Sequence, residues 1–208
     1  MNLVVFGAAG RTGSLVVERA LGHGHMVRAF VHASPLRAQD ARLTTVRGDV
    51  RDFGAVSGAV KGMDAVAFVL SQGSGGGSNI HEVGIANVIH AMAVHEVSRV
   101  AAVSAAGTFA RGDRRLSLGY RMLVATTMRS VYDDLEAMEM RIMASALEWT
   151  IVRPVGLSDA PASGEYRLSL DGSLLAKASR ISREDVASLV VKALETDLYV
   201  RRAVVIAG

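Results

Sequence analysis

Gly7-Ala8-Ala9-Gly10-Arg11-Thr12-Gly13 follows directly on the apolar run Leu3-Val4-Val5-Phe6 and directly precedes a helical pattern. Glycines in the order G-x-x-G-x-x-G let a chain leave a parallel strand sharply, approach a pyrophosphate closely and pack the next helix on the sheet. The N–H groups at that helix start then face the phosphates, with the helix dipole favouring their charge. The glycine spacing alone is a weak signal; a strand before it and a helix after it make it a dinucleotide-binding turn. Gly7, Ala9, Gly10, Arg11, Thr12 and Gly13 are therefore candidate cofactor-binding residues.

The end of the second strand decides which dinucleotide fits. A carboxylate there accepts from the ribose 2′-hydroxyl of NAD and repels a 2′-phosphate. This chain offers Val31-His32-Ala33-Ser34-Pro35-Leu36-Arg37 and no acid before Asp40. His32, Ser34 and Arg37, with Arg11 in the turn, favour NADP(H). Asp49, with Val50 after the third strand, is expected near the adenine. Leu70 and Ser71, where the fourth strand gives way to a loop, are expected on the same side.

These residues need a scaffold, and the chain alternates apolar strands with helical stretches, the order that builds a parallel sheet flanked by helices. The strands read as Asn2 to Phe6, Met26 to Val31, Leu43 to Arg47, Ala65 to Leu70, Val100 to Ser104, Thr150 to Arg153 and Ala203 to Ile206. Helices are expected over Arg11 to Leu21, Ile80 to His95 and roughly Arg121 to Ser145, the last with a methionine stripe read as adaptable core packing. Glu165-Tyr-Arg-Leu-Ser-Leu-Asp171-Gly172 alternates and turns at Asp-Gly, predicting a β-hairpin over about residues 165–176 that walls a substrate pocket. Ser182-Arg-Glu-Asp185 reads as a capping box opening the final helix. The expected fold class is α/β: one Rossmann-like, doubly wound domain over residues 1–208 with that small hairpin inserted near its C-terminus.

Two loops lie at the carboxyl edge of this sheet, where open α/β folds bind ligands. Residues 71–78 are Gly/Ser-rich, and Phe109 to Arg115 carries Arg111 and Arg114 within the chain's one basic cluster. Both serve equally as solvated connectors or as ligand contacts. Phe109, Arg111, Arg114 and Tyr132 are candidate substrate residues.

Composition narrows the classes. The chain has 208 residues, half of them hydrophobic, no cysteine and a formal net charge of +3. Half apolar is ample for a sheet covered on both faces, and the absent cysteines remove disulfides and thiolate metal sites together. The six histidines show no metal-helix spacing with a neighbouring carboxylate, so no metal site is expected. Lys and Arg are otherwise scattered, which favours an anionic small molecule over nucleic acid. With no apolar run of about 18 residues and no signal segment, a cytoplasmic protein without membrane contact is expected, as a monomer or weak homodimer.

The ordered set of Gly7 to Gly13, Gly48-Asp49-Val50, Asp64-Ala65-Val66, Ser104, Glu148-Trp149-Thr150-Ile151-Val152-Arg153-Pro154, Gly164 to Gly172 and Ile181 to Asp185 resembles atypical short-chain dehydrogenase/reductases of the NAD(P)H-binding, NmrA-like type. Within that type the resemblance is to the flavin reductase/biliverdin-IXβ reductase group, and it covers nearly the whole chain. It implies that Thr12 and the turn amides hold the pyrophosphate, that His32 to Arg37 meets the 2′-phosphate, and that Asp49 and Val50 flank the adenine. It further implies that Ser104, the candidate catalytic residue, faces the nicotinamide, with Pro154 and Val155 bordering its pocket.

The departures bear on chemistry. The Tyr-x-x-x-Lys pair of the wider superfamily is absent: Tyr132 has Glu136 at the lysine spacing. The histidines of the biliverdin-IXβ reductase group correspond to Leu135 and Gly156. Ketone reduction localises charge on one oxygen and demands a positioned acid, whereas a flavin, quinone or biliverdin spreads it over a conjugated system. The sequence therefore points to an NADPH-dependent oxidoreductase acting on a planar acceptor. A non-catalytic NADP(H)-binding sensor fits the missing acids equally well, and a sugar-nucleotide epimerase or dehydratase, which needs the Tyr/Lys pair, fits least.

Overall fold

The computed structural model describes residues 1–71, 79–108 and 128–208. Strands β1 (Asn2–Phe6), β2 (Met26–Val31), β3 (Leu43–Arg47), β4 (Ala65–Phe68), β5 (Arg99–Val103), β6 (Glu148–Pro154) and β10 (Arg202–Ala207) pair in parallel, and β8 (Arg167–Ser169) adds to β10 antiparallel. The sheet order is β3-β2-β1-β4-β5-β6-β10-β8, and β7 (Leu157–Ser158) and β9 (Ile181–Ser182) form a separate two-stranded pair. The order reverses between β1 and β4, so the carboxyl ends of those two strands flank the crevice where doubly wound sheets bind ligands.

Helices α1 (Gly13–Gly22), α2 (Phe53–Val60), α3 (Ile80–Val94), α4 (Arg129–Ala144) and α5 (Arg183–Glu195) cover the two faces. The period-two alternation of β1 explains the division. Leu3 and Val5 pack with α1 and α5, while Val4 and Phe6 pack with α2, α3 and α4, and all four side chains are fully buried. A sheet buried on both faces needs near-continuous apolar strands, which is what β1, β4 and β5 supply.

The seven expected strands are all present. Of the expected helix over 121–145, residues 121–127 lie outside the described residues, and the rest forms α4. Its methionines do not form a buried stripe: Met138 is fully buried beside Leu135 and Ile142, but Met140 and Met143 are exposed. Residues 53–60, which the apolar pattern leaves unassigned, form α2, opened by Asp52, whose side chain accepts from the N–H groups of Gly54 and Ala55.

The segment 165–176 differs from the expected hairpin. The Asp171-Gly172 turn is there, with Gly172 in the left-handed region at φ +76° and Asp171 Oδ1 accepting from Ser173 N–H and Ser169 Oγ. The return arm, however, contains no strand. β8 satisfies its backbone on the edge of β10, where Leu168 pairs with Ile206. An existing sheet edge offers β8 a full ladder that an isolated two-stranded hairpin cannot match.

The start of α5 is half a capping box. Ser182 Oγ accepts from Asp185 N–H as expected. The Asp185 carboxylate does not return to the Ser182 backbone; it accepts from Ser182 Oγ and from the N–H groups of Ser163 and Gly164. A helix-start acid thereby holds the loop that leads into β8.

Candidate functional site

The turn after β1 requires its outer glycines. Gly7 sits at φ +81°, and a Cβ on it would stand 2.4 Å from the Val69 carbonyl oxygen; one on Gly13 would stand 2.1 Å from the Gly7 carbonyl oxygen. Gly10 is different: its Cβ would stand 3.1 Å from the Gly7 oxygen and 3.7 Å from Ser71 Oγ, tight but open toward the crevice. Thr12, the N-cap of α1, makes no side-chain cap bond, and the first turn carries no acid. The α1 N-terminus is thus free to hold an anion, and a side chain at Gly10 would intrude where the anion must lie.

The crevice has two rooms that share Gly10, Leu70 and Ser71. The larger, about 440 Å³, is bounded by Gly7, Ala9, the β2 end with His32 and Ser34, and the β3 end with Asp49, Val50 and Arg51. The smaller, about 260 Å³, is bounded by Arg11, Thr12, His81, Ser104 and an apolar lining that includes Val103 and Leu135. Twelve residues expected from sequence therefore meet in one place: Gly7, Ala9, Gly10, Arg11, Thr12, His32, Ser34, Asp49, Val50, Leu70, Ser71 and Ser104. Gly13 acts from beneath, by packing on Gly7.

Four expected residues lie elsewhere. Arg37 is exposed and lines neither room. Tyr132 is buried on α4 and lines neither room. Pro154 and Val155 are held by the sheet: the Pro154 carbonyl accepts from Ala106 N–H, and Val155 N–H donates to the Ile206 carbonyl. Phe109, Arg111 and Arg114 lie outside the described residues.

Arg51 is a site residue that the strand-end rule misses, because it comes from beyond β3. It chelates Asp49, donating from Nε at 3.0 Å, from Nη2 at 2.8 Å and from its backbone N–H at 2.9 Å. The guanidinium holds the Asp49 carboxyl below its usual range, with a smaller contribution from His32, whose Nε2 lies 3.8 Å from Asp49 Oδ2. A carboxylate does reach the β2 end after all, arriving from β3 with its charge tied to an arginine.

His81 is the second such residue. It opens α3 and is 3% exposed, yet it lines the smaller room. Its Nδ1 stands 2.8 Å from Asp134 Oδ2, and its Nε2 lies 3.3 Å from the Leu70 carbonyl oxygen. Asp134, on α4, also accepts from the N–H groups of His81 and Glu82, capping α3 from a neighbouring helix. A contact across 53 residues leaves no local sequence pattern.

Ser104 Oγ lies 3.1 Å from Thr108 Oγ1, and Thr108 donates to the Ala105 carbonyl at 2.7 Å. Thr108 has one proton and gives it to Ala105, so Ser104 donates to Thr108. The lone pairs of Ser104 Oγ remain for a donor in the room. On the opposite wall, Asp159 is bridged by Arg11 and by Arg183, whose Nη1 lies 2.6 Å from Asp159 Oδ1. Burial, then the charges of Arg11 and Arg180, pull Arg183 below the usual arginine range.

Against known proteins, residues 7–197 match the family model described as NAD(P)H-binding. The chain belongs to the NAD(P)H-binding family. An uncharacterized sugar epimerase, YhfK, of Bacillus subtilis (strain 168) is 27% identical, covering 94% of this chain and 88% of that protein. Among solved structures, a short-chain dehydrogenase/reductase of Veillonella parvula DSM 2008 in complex with NADP superposes with a TM-score of 0.82 at 18% identity, covering 100% of this chain and 94% of the other. ChuY, an anaerobilin reductase of Escherichia coli O157:H7, superposes with a TM-score of 0.78 at 20% identity, covering 100% and 97%. At these identities the two structures are evidence for the Rossmann-like fold, and the family match carries the NAD(P)H-binding assignment. The glycine turn and open α1 N-terminus fit that nucleotide. Among the described residues no helix is long and apolar enough to cross a membrane.

Proposed function

We propose that this NAD(P)H-binding protein is an NADPH-dependent reductase of planar conjugated acceptors, of the flavin, quinone or linear tetrapyrrole class. The observation that carries the reading is one crevice of two rooms joined at the phosphate turn, the larger edged by His32, Ser34, Asp49 and Arg51 and the smaller, more apolar, by Val103, Leu135 and Leu157. NADPH, when bound, supplies the hydride.

Each wall has its own task. The turn from Gly7 to Gly13 and the α1 N-terminus take the pyrophosphate. His32, Ser34 and Arg51 receive the 2′-phosphate, and Arg51 neutralises the Asp49 carboxylate that would otherwise repel it. Ser104 Oγ accepts from the nicotinamide carboxamide and so orients the ring. Val103, Leu135 and Leu157 keep water from the reacting face, where proximity supplies most of the acceleration.

His81 changes the account of the proton. Leu135, at the position of a histidine in the resembled reductases, lines the same room but holds no proton. His81 brings an imidazole to that room from α3. With Asp134 on Nδ1 and the Leu70 carbonyl on Nε2, the ring is held at the wall of the room, where it would serve as proton donor to a reduced acceptor. The similarity to an anaerobilin reductase supports a tetrapyrrole among the acceptors. Missing Tyr/Lys chemistry argues against the epimerase activity named for the Bacillus relative.

Purified protein with NADPH and, separately, FMN, biliverdin and a soluble quinone tests the proposal through loss of nicotinamide absorbance against a protein-free control. Turnover with at least one acceptor is expected. Tight NADPH binding with no consumption in any of them would overturn the reductase and leave the sensor reading.

A further inference from the structure

His23 closes α1, His25 stands two residues on at the threshold of β2, and Glu195 is the last residue of α5. All three meet at one point, far from the nucleotide crevice: α1 spans 10 residues, about 15 Å, and this cluster sits at the end opposite the phosphate turn. His23 Nδ1 lies 2.9 Å and His25 Nε2 2.7 Å from the same Glu195 Oε1, and the three atoms fall within 4.8 Å of one another. Gly24 makes the convergence possible. Its left-handed φ of +85° folds the chain between the two histidines, so both rings turn to one carboxylate. Backbone bonds from His23 N–H to the Arg19 carbonyl and from His25 N–H to the Ala20 carbonyl fix the turn.

Three features go beyond a hydrogen-bonded cluster. The donor set is two imidazoles and one carboxylate, the set that suits zinc and its late-transition-metal neighbours rather than the all-oxygen preference of Mg²⁺ or Ca²⁺. The C-terminal ends of α1 and α5 converge on it, and both dipoles favour a cation there. Access is graded: the His25 side chain is 11% exposed, Glu195 24% and His23 41%, giving one fixed inner ligand and one that swings at the surface. A cavity bounded in part by Glu18, Arg19 and Glu184 opens beside His23, leaving room for a water ligand.

We propose that His23, His25 and Glu195 form a site for one divalent ion of the zinc class, bound through His23 Nδ1, His25 Nε2 and Glu195 Oε1 with an open position for water. Tetrahedral ligands at about 2.0–2.2 Å from zinc lie roughly 3.4 Å apart, so the two imidazole nitrogens, now within 4.8 Å of each other, close on the ion while Glu195 Oε1 draws back from both. The other ring nitrogen of His25, Nδ1, faces the Met1 amino nitrogen at 3.5 Å and takes no part. The ion would pin α1, the start of β2 and α5 together, adding stability without entering the crevice.

The test uses untagged, chelator-treated protein titrated with Zn²⁺ by calorimetry, with thermal melting alongside. Expected are one ion per chain and a higher melting temperature. His23→Asn, at an exposed position that leaves the fold intact, weakens binding by at least about tenfold, and Glu195→Gln does the same. His90→Asn, outside the cluster, leaves it unchanged, as does saturating NADPH. Absence of saturable binding, or binding equally strong in His23→Asn and Glu195→Gln, would overturn the site while leaving the reductase proposal untouched. A Co²⁺ titration adds a spectroscopic check: d–d bands of a low-coordinate nitrogen/oxygen site are expected, and bands of the hexaaquo ion alone contradict it.

Discussion

Asp134 Oδ2 stands 2.8 Å from His81 Nδ1, and the same carboxylate caps the first turn of α3 through two backbone N–H groups. One side chain thus fixes both the helix that carries the imidazole and the orientation of the ring. The second ring nitrogen, Nε2, meets the Leu70 carbonyl oxygen at 3.3 Å on the wall of the smaller room.

His81→Asn is expected to lower kcat by about 10²-fold, the lower end for loss of a general acid because the acceptor is conjugated, while the NADPH Kd stays within about twofold. Steady-state kinetics and nucleotide titration check this. A purely structural role would instead lower the melting temperature and leave kcat of the folded variant near wild type.

The proposed 2′-phosphate site puts cofactor choice on Arg51 and His32. Removing Arg51 takes one cation from the 2′-phosphate and frees the Asp49 carboxylate to repel it, so Arg51→Ala should raise the Kd for NADPH by about tenfold or more and hardly affect NADH. Asp49→Asn should move the NADPH-to-NADH ratio the opposite way. Arg37→Ala should leave it unchanged. Parallel titrations with the two nucleotides decide.

Acid sensitivity traces to Asp185. Burial pushes this carboxyl up, but hydrogen bonds from Ser182, Ser163 and Gly164 outweigh it and hold it below its usual range. A carboxyl depressed in the folded state contributes stability that is fully present above the unfolded value of about 3.9 and is lost as pH falls through the lower folded value. Asp185→Asn should therefore cost about 1.5–3 kcal/mol at neutral pH, with the gap to wild type closing near pH 3 and below. Urea midpoints at several pH values measure it.

Glu139, with no exposed surface, faces Arg153 of β6 inside the molecule; Arg153 donates from Nε to both carboxylate oxygens, at 3.2 and 3.1 Å. Glu139→Ala removes a buried carboxylate from the Arg153 guanidinium and should cost about 3–5 kcal/mol in chemical denaturation. A loss below about 1 kcal/mol would contradict the geometry.

The scaffold was legible because the central strands β1, β4 and β5 are apolar runs and the phosphate turn is contiguous in sequence. Gly7 to Gly13 announces strand, turn and helix within seven residues. Arg51, His81 and the His23–Glu195 cluster escaped because their meaning lies in partners brought by the fold: Asp134 arrives from 53 residues away, and Glu195 from 170. The hairpin reading failed for a related reason, since alternation in Tyr166 to Leu170 marks a strand but says nothing of which edge it joins. Arg37 follows the β2 end in sequence, yet its side chain is exposed and lines neither room.

The central claim is that the turn after β1 cradles the phosphates of NADPH, and Gly10 tests it most directly. A methyl group there asks only a few tenths of an ångström of the Gly7 carbonyl, so Gly10→Ala should melt near wild type. Titration followed by nicotinamide fluorescence should saturate at one NADPH per chain in wild type and weaken by at least about tenfold in Gly10→Ala. No saturation in wild type, or equal affinity in a folded Gly10→Ala, would contradict the account.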